Sequence, residues 1–200
     1  SKAAAKILIT GLLIFSAVIT FRGGFRFQNN FTLFAPAVIK SPQFREGYFY
    51  LGEYYLKGGN YAKAAEYFEK SLKKERGWLA FVDENSARIN LAGIYLAQNK
   101  LTEAKRLLTQ ALRGNYQPAL QIFYNLALIE LQLGNYNKVI SLLKDRVNTK
   151  ISPESAILLA YAYYKADNPF EAQRSLKRFF PASYQEKISR LKLILEQDAK

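Results

Sequence analysis

The stretch YLGEYYLKGGNYAKAAEYFEKSL, from Tyr50 to Leu72, decides how this chain folds. Its apolar and small residues fall at helical spacing on both sides of a break at Gly58, Gly59 and Asn60: Leu51, Gly52 and Tyr55 before it, Tyr61, Ala64, Phe68 and Leu72 after it. The pattern predicts two antiparallel helices joined by a tight turn. Gly52 and Ala64 are the informative positions. Two helices approach closely only where small residues let the backbones cross, with large residues filling the groove beside them.

Taken together with Tyr48 and Ser71, the positions Leu51, Gly52, Tyr55, Gly59, Tyr61, Ala64 and Phe68 resemble the tetratricopeptide repeat family, with Ser71 in place of the usual Ala. Three further copies follow. One begins at Asn85 and carries Leu91, Ala92, Tyr95, Leu101, Ala104, Leu108 and Ala111. The next begins at Leu120 and has Leu126, Ala127, Gly134, Tyr136 and Leu143, with Val139 in place of the small residue; the last begins at Pro153 with Leu159, Ala160, Tyr163, Ala172 and Leu176. Starts at 45, 85, 120 and 153 are 40, 35 and 33 residues apart, close to the family's period of about 34. The resemblance implies an all-α, right-handed α-solenoid of about four helix pairs over residues 45–182. The surplus in the first interval falls in ERGWLAFVDENS, where Trp78 is expected to pack. In the junction at residues 22–44, Thr32 to Lys40 reads as the second helix of a preceding half-repeat, which Pro36 should kink or shorten. Ser183 is placed to cap a closing helix over residues 183–198.

Composition limits the chemistry. The 200 residues contain neither Cys nor His, which removes thiol chemistry, zinc sites and the ordinary nucleophilic triads and dyads. No catalytic, cofactor-binding or metal-binding constellation is evident, and no cofactor is expected. The net charge of +13 fits anionic lipid, nucleic acid or an acidic protein. No strip of basic residues interleaved with exposed aromatics is legible, which argues against nucleic acid. The paired glycines at 23–24 and 58–59 read as turns, and clusters such as Lys70, Lys73, Lys74 and Arg76 as solvated helix ends.

The opening run KAAAKILITGLLIFSAVITFR has a different character. Residues 3–21 form a 19-residue stretch, uncharged from Ile7 to Phe21, worth about 28 Å as a helix at ~1.5 Å per residue. That suffices for a membrane helix if Lys6 reaches the interface. Lys2 and Lys6 against Arg22 and Arg26 set no orientation. A cleaved signal peptide and a buried helix are the rival readings, and a small-residue cleavage site followed by a polar stretch is missing.

Within the tetratricopeptide resemblance, ligands are expected on the concave face formed by the first helix of each repeat. The positions that point there in the family include Phe49, Tyr50, Glu53 and Lys57, then Asn90, then Tyr124, Asn125 and Gln132, then Tyr161, Tyr164 and Lys165. Aromatic rings and amides in that arrangement suit an extended peptide or a helix; equally, the rings can pack between neighbouring helices. The family's capture of a terminal carboxylate uses Lys and Asn. Asn90 and Asn125 match its amides, but Glu46, Ser86, Gln121 and Glu154 stand at the lysine positions.

The junction is also similar to the C-terminal part of polytopic membrane O-mannosyltransferases that carry such repeats, through Arg22, Phe25, Thr32, Leu33, Phe34, Ala37, Val38, Ser41 and Pro42. In those enzymes the catalytic acids lie in earlier membrane loops, so the resemblance implies no transferase activity for this chain alone. The reading is therefore a membrane-anchored, single-pass scaffold for protein partners. The alternative is an acceptor-binding region of a membrane glycosyltransferase.

Overall fold

The computed structural model describes residue 24 and residues 27–74, 82–113, 120–146, 153–180, 182–183 and 185–190. The expected membrane helix at 3–21, Trp78 and the part of the closing helix beyond 190 lie outside them. The described residues are helical or turn, without strands, in agreement with an α-solenoid. None of their helices is long and apolar enough to cross a membrane. The chain divides into two compact units, Ser1–Leu91 and Ala92–Lys200.

In the first unit α1 (Asn30–Lys40), α2 (Arg45–Lys57) and α3 (Tyr61–Leu72) pack in sequence, α1 on α2 and α2 on α3. The α2–α3 crossing is built on Gly52. A Cβ added there would lie 2.8 Å from the Cδ1 and Cε1 atoms of Phe68, and Phe68 and Ala64 are wholly buried. Gly47 makes the equivalent approach toward α1, since its Cβ would come within 2.6 Å of Val38 Cγ1. Ser71 fills the family's Ala position because its buried hydroxyl donates to the Phe68 carbonyl at 2.7 Å. The small polar group is satisfied inside its own helix.

Pro36 does not end α1, which runs through it to Lys40. A proline at this point forfeits one backbone donor, while the first turn is secured by a capping box. Asn29 Oδ1 accepts from the Thr32 amide at 3.0 Å, and Thr32 Oγ1 accepts from the Asn29 amide at 3.3 Å. Packing of α1 on α2 sustains the remainder.

Helix α4 spans Glu84–Ala97. It is started by Asp83, whose Oδ1 accepts from the amides of Asn85 and Ser86. Glu84, the next residue, ties the first unit together. Its carboxylate meets Arg45 of α2 at 3.2 Å, Lys74 beyond α3 at 3.0 Å, and Arg88 one turn along α4 at 2.7 Å. Arg45 is buried and its Nε donates to the Ser71 carbonyl at 2.8 Å, closing the C-terminal end of α3. Burial alone would raise the Glu84 carboxyl; hydrogen bonds from Lys74, Arg88 and Arg45 overcome it and hold the group below the ordinary carboxylate range.

The second unit contains α5 (Leu101–Leu112), α6 (Leu120–Gln132), α7 (Tyr136–Leu143), α8 (Pro153–Lys165) and α9 (Pro169–Phe179), followed by a helical turn at 185–190. Its core joins Ala127, Val139, Leu143, Leu158, Leu159 and Ala162. A second cluster joins Ala160, Ala172, Leu176 and Ile188. Val139 is fully buried at the position where small residues stand elsewhere. Glu130 is the counterpart of Glu84: buried on α6, it meets Lys105 of α5 at 2.6 Å and accepts from Asn135 Nδ2 at 2.8 Å, with Lys138 at 3.7 Å. Here too burial is outweighed by these partners, and the carboxyl sits below its usual range.

The turns between paired helices repeat one backbone solution. Gly59 and Gly134 adopt φ of 74° and 72°; Asn99 and Asp167 adopt 57° and 56°. In each, the next residue's amide reaches back to a carbonyl five residues earlier: Asn60 to Tyr55, Lys100 to Tyr95, Asn135 to Glu130 and Asn168 to Tyr163. Glycine meets the left-handed requirement at two turns. Asn and Asp, the residues that tolerate it best, meet it at the others.

Replacing Gly52 by Ala, or Ala64 by Leu, should overpack the α2–α3 crossing and cost about 1–3 kcal/mol. Gly93→Ala, where the new Cβ meets nothing within 4 Å, should be neutral or stabilising by up to ~1 kcal/mol. Urea midpoints of the three variants check this ordering, and a fall for Gly93→Ala as large as for Gly52→Ala would contradict it. Because the folded Glu84 and Glu130 carboxyls titrate below their unfolded values, their stabilisation is present above the unfolded carboxylate pKa and is lost as pH falls through the folded one. Wild-type stability should therefore decline on acidification, and Glu84→Gln should flatten the decline, as read by urea titrations across the acid range.

Candidate functional site

The first unit presents a run of aromatic rings on its surface. Phe31 of α1 lies 5.4 Å from Tyr54 and 6.2 Å from Tyr55 of α2. Tyr55 stacks on Tyr67 of α3 at 5.4 Å with ring planes 2° apart, and Tyr67 stacks on Tyr48 at 6.2 Å. Lysines lie over the run: Lys63 stands 5.0 Å from the Tyr55 centroid, and Lys70 stands 5.4 Å from Tyr67 and 5.9 Å from Tyr48. A strip of interleaved aromatics and cations exists here, with Tyr48, Tyr55 and Tyr67 half-buried. Its ring faces are taken by neighbouring rings and lysines, so it offers few open faces for stacking a base. The Tyr67 phenol is pushed up by burial and by neighbouring Tyr55 and Glu66, while Lys70 is raised by its 2.7 Å hydrogen bond to Glu66.

At the Phe31 end the strip opens into a recess of about 700 Å³ between the start of α1 and the α2–α3 turn. Tyr54, Tyr55 and Lys57 line it together with Asn29, Asn30 and Asn60. The amides here are polarised by their structural duties. Asn29 Oδ1 accepts from the Thr32 amide and Asn60 Oδ1 from the Lys63 amide. Each of these two oxygens accepts one bond in starting a helix, and the Nδ2 donors of Asn29 and Asn60 and the Lys57 ammonium add donors at the recess. No carboxylate lines the recess among the described residues.

The residues expected on a concave face are distributed differently. Tyr50 stacks on Phe34 of α1 at 4.6 Å, and its carbonyl accepts from Asn30 Nδ2 at 3.5 Å. Phe49 packs edgewise on Tyr50 and against Phe68. Both serve the junction with the preceding half-repeat. Glu53 and Asn90 are half-buried and Lys57 is exposed in the recess.

In the second unit Asn125 is only 5% exposed and accepts from Gln121 Nε2 at 3.2 Å. Tyr124 packs on the α6–α8 core, its phenol raised by burial and by Glu154. Gln132 is exposed. Tyr161 and Tyr164 pack on the α8–α9 cluster, with Lys165 lying 5.6 Å over the Tyr161 ring. The Tyr164 hydroxyl is buried without a hydrogen-bond partner among the described residues. Lys57 is thus the one expected groove residue that meets the recess. Asn29, Asn30 and Asn60 went unread as site residues; the sequence signal of Asn29 and Asn60 is that of helix caps, and Asn30 opens α1.

Among the described residues no group of three or more Asp, Glu, His or Cys side chains could hold a metal. Residues 45–78, which take in α2 and α3, match a family model described as tetratricopeptide repeat. So do residues 89–138, from within α4 through α5 and α6 into α7. No curated protein matches the chain. Repeats of this kind generally mediate protein–protein interaction and are typically non-enzymatic scaffolds. The two matches, falling on the helix pairs and turns described above, support the tetratricopeptide repeat family for this chain.

Proposed function

We propose that this chain is a protein-interaction scaffold whose first unit receives an extended peptide segment at the recess bounded by Tyr54 and Lys57. One observation carries the reading: the side-chain oxygens of Asn29 and Asn60 are engaged in helix caps and no carboxylate lines the recess among the described residues, so the amide donors and Lys57 favour a ligand rich in acceptors. A peptide backbone supplies carbonyls at regular spacing, and acidic side chains add to the match. Tyr54, 37% exposed, provides the ring against which an apolar side chain rests.

The membrane anchor belongs to the same proposal. As a helix, the 3–21 run would be long and apolar enough to span a bilayer and would hold the scaffold there. The similarity of the junction to membrane glycosyltransferases favours one second reading, in which the repeats present acceptor protein to catalytic segments elsewhere. Further apolar helices upstream of Ser1 in the encoding gene would favour that reading.

Peptides selected from a random display library with the full chain provide the test. The double variant Tyr54→Ala, Lys57→Gln should weaken the selected peptides by about 2 kcal/mol or more while circular dichroism stays helical. Undiminished binding by the folded variant would remove the recess from the proposal. Independently, the full chain should sediment with membranes and resist carbonate extraction, whereas a chain starting at Asn29 should be soluble. Full-length protein in the detergent-free soluble fraction would overturn the anchor.

A further inference from the structure

Large apolar side chains stand exposed in a row at the start of the first unit: Phe27 is 75% exposed, Phe31 39% and Ile39 80%. Phe31, Ala35 and Ile39 recur every four residues along α1, a spacing that keeps side chains on one side of a helix. Phe27 stands four residues ahead of Phe31, before the helix begins. A different side of α1 packs on α2. There Phe34 stacks on Tyr50, Asn30 Nδ2 donates to the Tyr50 carbonyl, and Val38 is buried toward Gly47. Single exposed apolar residues, such as Leu133 and Phe170 of the second unit, are ordinary. A row of them along one helix marks a face that something covers.

The position of the row in the chain argues for what covers it. Phe27 lies six residues after Phe21, where the apolar 3–21 run ends, and six residues reach at most about 20 Å when fully extended. If that run spans a bilayer, Phe27 cannot leave the neighbourhood of the headgroups. Helix α1 has 11 residues, about 16 Å of length, so laying it along the surface brings Ile39 to the same depth. Charge agrees with a lipid surface. Residues 1–42 contain Lys2, Lys6, Arg22, Arg26 and Lys40 and no Asp or Glu, and Lys40 is exposed in the last turn of α1, next to Ile39. The acidic residues of the helix packed on α1 are Glu46 and Glu53, both half-buried on α2. Apolar side chains on one face with a lysine at the edge are the composition of segments that lie in a membrane interface.

From this arrangement we infer that the Phe27, Phe31 and Ile39 face of α1 is a lipid-binding surface that seats the first unit on the bilayer interface. The inference rests on the membrane reading of residues 3–21 and adds an orientation to it: the unit is held by a face as well as by a tether. The recess begins at Asn29 and Asn30, so this seating places it beside the lipid surface.

The chain contains no Cys, so single cysteines carrying a polarity-sensitive fluorophore report one position each. Full-length chains with Ile14→Cys, Phe27→Cys, Ile39→Cys or Phe170→Cys are reconstituted into vesicles of phosphatidylcholine and phosphatidylglycerol, with helical circular dichroism confirmed. Quenching is read from nitroxide-labelled lipid and from aqueous iodide. Labels at 27 and 39 should shift to the blue, lose iodide quenching and be quenched by nitroxides near the headgroups. The label at 170 should stay aqueous. A Pro36→Cys label on the same exposed helix should behave like 39, and should return to the aqueous spectrum when Phe27→Asn and Ile39→Asn remove the apolar contacts. Lipid quenching at 14 with an aqueous label at 39 overturns the inference and leaves the anchor standing, whereas no lipid quenching at 14 removes the anchor and the inference with it. The inference also falls if 39 is shielded from iodide but untouched by lipid nitroxides, which assigns the face to a second copy or another protein segment. It falls equally if the label at 170 is quenched by lipid as strongly as 39, or if the Pro36 label stays in lipid without Phe27 and Ile39, since general adsorption or the tether alone then accounts for the signal.

Discussion

The contact between the Phe68 ring and the bare Cα of Gly52 sets the geometry of the first unit. An aromatic ring can lie flat on a neighbouring helix only where no Cβ intervenes, and here any Cβ would intrude to 2.8 Å. That approach brings α2 and α3 close enough for Tyr55 and Tyr67 to stack across the pair. Gly47 repeats the device toward α1. Phe31 of α1 and the tyrosines of α2 and α3 thus align into one run because two glycines permit close crossings.

The second organising element is charge. Each unit places a carboxylate where several helices meet and surrounds it with cations: Glu84 with Arg45, Lys74 and Arg88, and Glu130 with Lys105 and Lys138. A lone buried carboxylate would be costly. With several donors it becomes a directional tie that a hydrophobic contact cannot supply, since the carboxylate is satisfied only when each helix end is in place. In a chain of +13 such ties also gather like charges around a shared anion.

The candidate recess arises from the same economy of groups. Helix starts need side-chain oxygens, and asparagine brings an amide donor along with each oxygen it spends. Two such caps, Asn29 and Asn60, open onto one space beside Tyr54 and Lys57, so a structural requirement leaves behind a donor-rich surface. On the opposite account, the rings expected to receive a ligand in the second unit, Tyr124, Tyr161 and Tyr164, are engaged in packing.

The helix pairs, the small residues Gly52, Ala64, Ala104 and Ala127, and the glycine turns at Gly59 and Gly134 were legible in the amino-acid sequence by itself, whereas Gly24, read as part of a turn, is helical. These features depend on local periodicity and on steric rules that act within one repeat. Gly47, the left-handed Asn99 and Asp167, and the passage of α1 through Pro36 were not legible, because each depends on what a neighbouring helix or turn contributes. Tertiary structure alone decided which polar groups face a ligand. Asn125 and Asn60 are the same residue type near helix pairs, yet one is buried against Gln121 and the other lines an open recess. Asp83 and Glu84 are adjacent, yet one caps a helix and the other joins three cations. Periodicity determines which side of a helix is apolar. The partners of a polar atom are set by distances between elements far apart in the chain, and those distances exist only once the helices have packed.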